Sequence, residues 1–344
     1  MAFGLWGAQQ TSDNQNWNFA PVEYRKGFYR SKLRSGKLRV TGWNLLADID
    51  LISKKEKLFE FPAHISAHGP MSDFTAVDDN LMFVAAEQGR IHRSADGGKT
   101  WTFQSLAAGK DALLSKISFV NRNFGVATGQ SVIGSQTDSN GAFYVSVDEG
   151  VTWEYRAVGY SEIIVDHHFL TDKIGAVGFK DGTVRTTTDA GLTWSTPEAP
   201  PFGITYNESV EAIAFASAQK IWAIPKNKVS GAQVYLASKS EDGGKTWASV
   251  ILNADLLVAG QNFRAKSLYI KDEKNIFIGG CYLVEYTELG KGCDLGVAFY
   301  TKDGGTIWNK AEAPASGRIL EFSTSDKGAV LATTENGSVL EFIE

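Results

Sequence analysis

Five stretches of this chain read almost alike: SADGGKTW at residues 94–101, SVDEGVTW at 146–153, TTDAGLTW at 187–194, SEDGGKTW at 240–247 and TKDGGTIW at 301–308. All follow one pattern, a hydroxyl residue, Asp two places on, Gly two places after that, and Trp three places later. The pattern has the chemistry of a tight turn between strands. The carboxylates of Asp96, Asp148, Asp189, Asp242 and Asp303 can accept backbone N–H bonds that a strand ladder leaves open. Gly98, Gly150, Gly191, Gly244 and Gly305 can take positive φ at no steric cost. Trp101, Trp153, Trp194, Trp247 and Trp308 each open the following strand and offer a large apolar plate to a neighbouring element.

The phrase recurs every 40 to 60 residues or so, the period of a propeller blade. Other segments keep step with it. A run that reads as an innermost strand precedes each unit, at 72–77, 115–120, 162–170, 210–216, 265–270 and 318–324. A second run of small and apolar residues follows, at 81–86, 124–128, 174–179, 221–224, 276–280 and 329–333. Small side chains suit the crowded region where strands converge on an axis. The expected fold is therefore all-β, a six-bladed β-propeller of four-stranded blades, with seven blades as the alternative. The sixth unit ends without the turn phrase, so a strand from residues 38–62 is expected to close the ring, because an open ring leaves exposed sheet edges.

These five phrases resemble the Asp-box repeat of sialidases and related propellers. The longer frames AAEQGRIHRSADGGKTW and VGFKDGTVRTTTDAGLTW are similar to the photosystem II stability/assembly-factor type. The resemblance implies the propeller architecture and says little about activity, since one fold hosts many functions.

The composition fits a folded body: 43% hydrophobic residues, with Trp 9, Tyr 11 and Phe 20 against Pro 8. A formal charge of −5 argues against a nucleic-acid-binding body. The exception is the segment 24–40, where Arg25, Lys26, Arg30, Lys32, Arg34, Lys37 and Arg39 occur without an acid. The first residues lack the basic and apolar regions of a secretory signal, and no apolar run is long enough to span a bilayer. The expectation is a protein made in the cytoplasm, without membrane insertion. Cys281 and Cys293 flank one extended loop; they could clamp its base in an oxidising medium, but free thiols are expected.

Catalytic patterns are weak. The arginine triad and Tyr–Glu pair of a sialidase are not recognisable, and Arg-Ile-Pro is absent. Asp166, Glu208 and Glu211 could serve a glycosidase but read more simply as solvated loop acids. DGGKT at 96–100 and 242–246 ends like a phosphate-binding loop, yet Arg93 and Lys239 stand where its first Gly belongs. His167 and His168 should point to opposite faces of a strand and so share no metal. No catalytic residue, metal site or cofactor is expected.

The turn phrases should share one face, and the long connections 129–141, 196–209, 225–231, 253–264 and 281–296 should lie on the other. Phe202, Tyr206, Phe263, Tyr282 and Tyr286 in those connections are the candidate partner contacts. Residues 1–56 form an aromatic and basic extension read as an assembly arm, with Arg25, Lys26, Arg30 and Arg34 as further contacts; residues 57–344 form the propeller. The functional expectation is a non-enzymatic structural or interaction protein in a larger assembly, of the kind found in a phage virion tail or neck. Its partners are other proteins, copies of itself included, with nucleic acid only through the basic arm. The alternatives are a cellular assembly-factor-like propeller and a glycan-binding or glycoside-hydrolysing one.

Overall fold

The computed structural model describes residues 16–20, 30–34, 37–42, 45–50, 56–59, 71–86, 88–106, 112–132, 139–199, 209–226, 234–252, 254–256, 262–286, 290–314, 317–324, 328–335 and 339–343. Apart from one short 3-10 turn at Ala254–Leu256, the regular elements among them are strands.

Each unit of the sequence folds back on itself as an antiparallel sheet, because its strands are joined by turns too short to carry the chain elsewhere. Blade 1 contains Arg30–Arg34, Lys37–Gly42, Leu45–Asp50 and Glu56–Leu58. Blade 2 contains Met71–Ala76, Met82–Ala86, Arg90–Ser94 and Thr102–Ser105. Blade 3 contains Ala112–Phe119, Gly125–Val132, Ser139–Ser146 and Glu154–Tyr155. Blade 4 has three strands, Ile164–Phe169, Gly175–Phe179 and Val184–Thr187, and a single bridge from Val184 to Glu198 in place of the fourth. Blade 5 contains Val210–Phe215, Ile221–Pro225, Val234–Ser240 and Ala248–Leu252. Blade 6 contains Asn262–Ile270, Ile276–Tyr286, Gly290–Thr301 and Asn309–Pro314. Blade 7 joins Ile319–Thr324, Val330–Thr334 and Val339–Ile343 to Asn16–Ala20 from the other end of the chain.

The first strand of every blade touches the first strand of the next, from Arg30–Arg34 round to Ile319–Thr324 and back. The fold is thus an all-β propeller, and among the described residues its sheets number seven, the count expected only as the alternative to six. The closing strand also differs from expectation. Asn16–Ala20 lies antiparallel to the last strand, Asn16 opposite Ile343 and Ala20 opposite Val339. The described strands of that stretch, Lys37–Gly42, Leu45–Asp50 and Glu56–Leu58, instead belong to blade 1. The reason is local: Arg30–Arg34, Lys37–Gly42 and Leu45–Asp50 follow one another through two-residue connections, so they pair among themselves first. A boundary at 56/57 passes through the strand Glu56–Leu58, so the strands between 30 and 58 are a blade and not an appended arm. Arg39 of the basic stretch is paired across that sheet with Asp48, its guanidinium 5.3 Å from the centre of the Phe59 ring.

Burial follows the layering. The second strands Met82–Ala86, Gly175–Phe179, Ile221–Pro225 and Val330–Thr334 are buried along their whole length, since both faces meet neighbouring blades. Between blades the contacts are aromatic. Trp153 packs edge-on to Phe83, Trp194 to Phe143 and Trp308 to Trp222, each Trp meeting a ring from the preceding blade.

Candidate binding site at the channel mouth

The turn phrases are satisfied internally. Asp96 accepts the Thr100 N–H at 2.9 Å and the Thr100 hydroxyl at 2.6 Å, while Ser94 donates to it at 2.8 Å. The Ser94 hydroxyl oxygen in turn accepts the Gly98 N–H at 2.8 Å. The same bonds recur at Asp148, Asp189 and Asp242. At Asp303 the position of the second hydroxyl is taken by Ile307, whose N–H still donates at 3.0 Å. Bonds from Thr100 and Thr246, side chain first, hold the carboxyls of Asp96 and Asp242 down at about 2. Carboxylates so engaged have little capacity left for a ligand.

The opposite face is different. A cavity of about 790 Å³ lies on the ring axis, lined by the first strands of blades 2 to 7. Each of those six strands carries a register shift near its start: between Met71 and Asp73, Leu114 and Lys116, Ile164 and Asp166, Val210 and Ala212, Ala265 and Ser267, and Ile319 and Glu321. A bulge inserts one residue and re-aims the side chains around it. Here the bulges gather charge onto the lining: Asp73, Lys116, Asp166, Glu211, Lys266 and Glu321, joined by Lys226, Arg264 and Arg318.

Most of the acids are engaged within the ring. Asp73 accepts the Ile117 N–H of the next blade at 2.9 Å, and Asp166 accepts the Ile213 N–H of its own next blade at 2.8 Å. Asp166 also takes the Lys116 ammonium at 2.5 Å, and Glu211 is paired with Lys266. Asp166 and Glu211, read above as solvated acids, are therefore structural links between blades. The arginines are less committed. No carboxylate among the described residues sits on Arg264 or Arg318, and the buried Arg318 Nε has no hydrogen-bond partner. Arg318 does reach Cys293 Sγ, through Nη2 at 3.4 Å.

The two adjacent histidines do face opposite ways. His167 is buried between blades 3 and 4, with one ring nitrogen 2.7 Å from Ser118 Oγ and the other 2.7 Å from Thr128 Oγ1. His168 lines the channel and stacks on Phe215. Burial, reinforced by the Lys116 charge and opposed by Asp166, pulls its pKa down to about 4.

The expected contact residues fall differently. Phe263 and Tyr282 are each 1% exposed and meet edge to face at 6.1 Å, so they belong to the core of blade 6. The segment 281–296 was expected as an irregular loop. It is instead a continuation of the blade's hairpin, with pairing from Cys281–Gly296 out to Tyr286–Gly290. Two long strands bury what a loop would expose, which is why these aromatics are not free. Cys281 and Cys293 are joined in a disulfide across this hairpin, their Cα atoms 5.6 Å apart, rather than standing as free thiols. Tyr286 ends the strand Ile276–Tyr286, and Arg30 and Arg34 bound the first strand of blade 1. Phe202, Tyr206, Glu208, Arg25 and Lys26 lie outside the described residues. The channel cations Arg264 and Arg318 were missed; they stand just before the bulge in their strands, a position visible only once the strands are aligned blade by blade.

No family model matches the chain, and no curated protein sequence matches it. Solved structures do. The chain is similar to the structure described as YCF48 bound to D1 peptide, at 13% identity and a TM-score of 0.65, over 98% of this chain and 97% of that one. YCF48 from Cyanidioschyzon merolae matches at 14% identity and a TM-score of 0.61, over 95% and 98%. The GH74 enzyme of Niastella koreensis matches at 13% identity and a TM-score of 0.65, over 93% of this chain but 53% of the enzyme. At such identities the likeness is one of fold, and that fold is the propeller which the Asp-box resemblance implied.

Proposed function

We propose that this chain is a non-enzymatic interaction propeller that captures an acidic polypeptide segment of a partner protein at the mouth of its central channel. The observation that carries the reading is the charge balance of the lining: Asp73, Asp166 and Glu211 are spent on neighbouring blades, while Arg264 and Arg318 have no carboxylate among the described residues. A partly enclosed guanidinium pair recognises carboxylates through charge-assisted hydrogen bonds. One structural neighbour is described with a peptide bound, which supports a peptide as the class of ligand. A glycosidase reading needs two carboxylates free to act as acid and base, and the committed acids of the channel disfavour it. No residue of this site supports a place in a phage tail or neck.

The test is fluorescence anisotropy with a labelled peptide of about six glutamates, at low and moderate salt. Replacing both Arg264 and Arg318 with Ala should weaken binding about tenfold or more, at roughly 1.4 kcal/mol per decade. Arg122→Ala serves as the control, because Arg122 is paired with Asp78 and Glu149 at the turn-phrase face. Equal loss in the control, or none in the double variant, would refute the site.

A further inference from the structure

The disulfide and the spare arginines are one cluster. Arg264 stands directly opposite Cys281 in the pairing of Asn262–Ile270 with Ile276–Tyr286, and residues so opposed share a face of the sheet. Cys281 is bonded to Cys293, whose sulfur meets the Arg318 guanidinium at 3.4 Å. The sulfur pair is thus flanked by the two cations that line the channel. Cys281 is fully buried, whereas Cys293 is a partly exposed residue, so attack by a reductant is assigned to Cys293.

We propose that Cys281–Cys293 is a redox-active pair, and that its reduction withdraws Arg318 from the channel by giving it the Cys293 thiolate as counter-ion. In the oxidised chain a neutral disulfide sulfur is a weak acceptor, and Arg318 keeps its charge available to an acidic ligand. Reduction by a dithiol runs in two exchanges. A thiolate of the reductant attacks Cys293 Sγ, the S–S bond breaks, and the electron pair leaves on Cys281 Sγ, which takes up a proton. The second thiol of the reductant then attacks the mixed disulfide; the reductant becomes a disulfide and Cys293 departs as a thiolate. Two electrons pass from reductant to protein. A thiolate beside a guanidinium is favoured over the thiol, so Cys293 stays charged near neutral pH and competes with any carboxylate for Arg318. The consequence for ligand capture rests on the function proposed above; the thiolate–arginine pairing does not.

Two measurements on the full chain test the two parts separately. First, the rate of Cys293 alkylation by iodoacetamide in the reduced protein, followed by peptide mass spectrometry, should reach half its maximum about one pH unit or more below the ordinary thiol value of about 8.5. Arg318→Gln should return the midpoint to that value and Arg318→Lys should keep most of the shift, which a merely structural role for Arg318 would not do. Identical midpoints in wild type and Arg318→Gln overturn the proposal. Second, the labelled hexaglutamate peptide should bind the oxidised chain roughly fivefold or more tightly than the reduced chain at about pH 8. The double variant Cys281→Ser, Cys293→Ser should be indifferent to reductant. Equal binding in both redox states overturns the coupling while leaving the channel reading intact. If the peptide binds neither state, the channel reading fails, and the alkylation midpoints alone decide whether Cys293 and Arg318 act as a pair.

Discussion

Gly305 offers the sharpest test of how the blades fit together. Its φ is +95°, and a Cβ built there would overlap Trp222 Cη2 of the preceding blade and lie 3.1 Å from Cζ2. Trp222 is 1% exposed and also packs edge-on to Trp308, so it has nowhere to retreat. Gly305→Ala therefore incurs two costs: about 1–2 kcal/mol for a left-handed L-residue, and about 1–3 kcal/mol for overpacking a closed interface. The control is Gly243→Ala. Its φ is +76°, but the nearest atom to an added Cβ is the Ala218 carbonyl oxygen at 3.5 Å. The equivalent place in two other turns is held by Glu149 and Ala190, both at positive φ, so a side chain is tolerated there. The control should cost only about 1 kcal/mol. Unfolding entropy for a chain of this length is on the order of 0.7 kcal/mol per degree, which puts the melting temperature down by about 3–7 °C for Gly305→Ala and about 1–2 °C for Gly243→Ala. Differential scanning calorimetry reads both. Trimming the ring with Trp222→Leu should rescue part of the Gly305→Ala loss in a double-mutant cycle. If the two glycine variants melt together, or if Trp222→Leu gives no coupling, the glycine serves its own turn alone and the packing argument is wrong.

The turn carboxylates set an acid limit. Asp242 titrates at about 2 in the fold against an ordinary 3.8, so the unfolded chain binds its proton first; the stabilisation is complete above about pH 4 and is lost as pH falls toward 2. Asp242→Asn should lower the melting temperature at pH 7 and flatten its fall between pH 4 and 2; a variant with an unchanged acid limb contradicts the assignment. His168 titrates at about 4, below its usual 6.5, so the unfolded chain again binds the proton more readily and stability falls as pH drops from about 6.5 to 4. Because its ring borders the channel, the loss is put at about 1–3 kcal/mol, and urea titrations of His168→Gln at the two ends of that range should show it removed. Deleting residues 1–20 strips Asn16–Ala20 from the edge of Val339–Ile343 and should lower the melting temperature and promote aggregation; a truncated chain as stable and monomeric as the parent would show that the strand does not close the ring.

Much of the propeller could be read from the sequence, and for a local reason. Each blade from residue 71 to 314 carries an aspartate turn whose bonds run within a few residues, as from Asp96 to Thr100, so the phrase that names the blade also builds it. The second strands were equally legible, because a run such as MFVAA at Met82–Ala86 is buried on both faces and needs no alternation. Blade 1 escaped because its strands are joined by other connections than the aspartate turn, and Leu45–Asp50 alternates too weakly to announce which sheet it joins. The partner of Val339–Ile343 escaped for a different reason. Pairing between the two ends of a chain is decided by ring closure, which leaves no periodic trace in Asn16–Ala20.

The candidate site was hidden by the same regularity that exposed the fold. The recurring turn phrase draws the eye to its carboxylates, yet Asp96, Asp148, Asp189 and Asp242 spend their oxygens on their own turns. The residues with charge to offer sit where the repeat is broken by a bulge. There the side chains differ from blade to blade: Ser72, Ser115, Val165, Glu211, Lys266 and Leu320 occupy corresponding places. A repeat fold must keep its turns alike to stack, but its axis is lined by one strand from each blade, where unlike residues can face each other without disturbing the stack. Specificity in such a ring therefore accumulates where the sequence pattern is least repetitive. That places the uncommitted arginines, Arg264 and Arg318, at the channel and not in the motif.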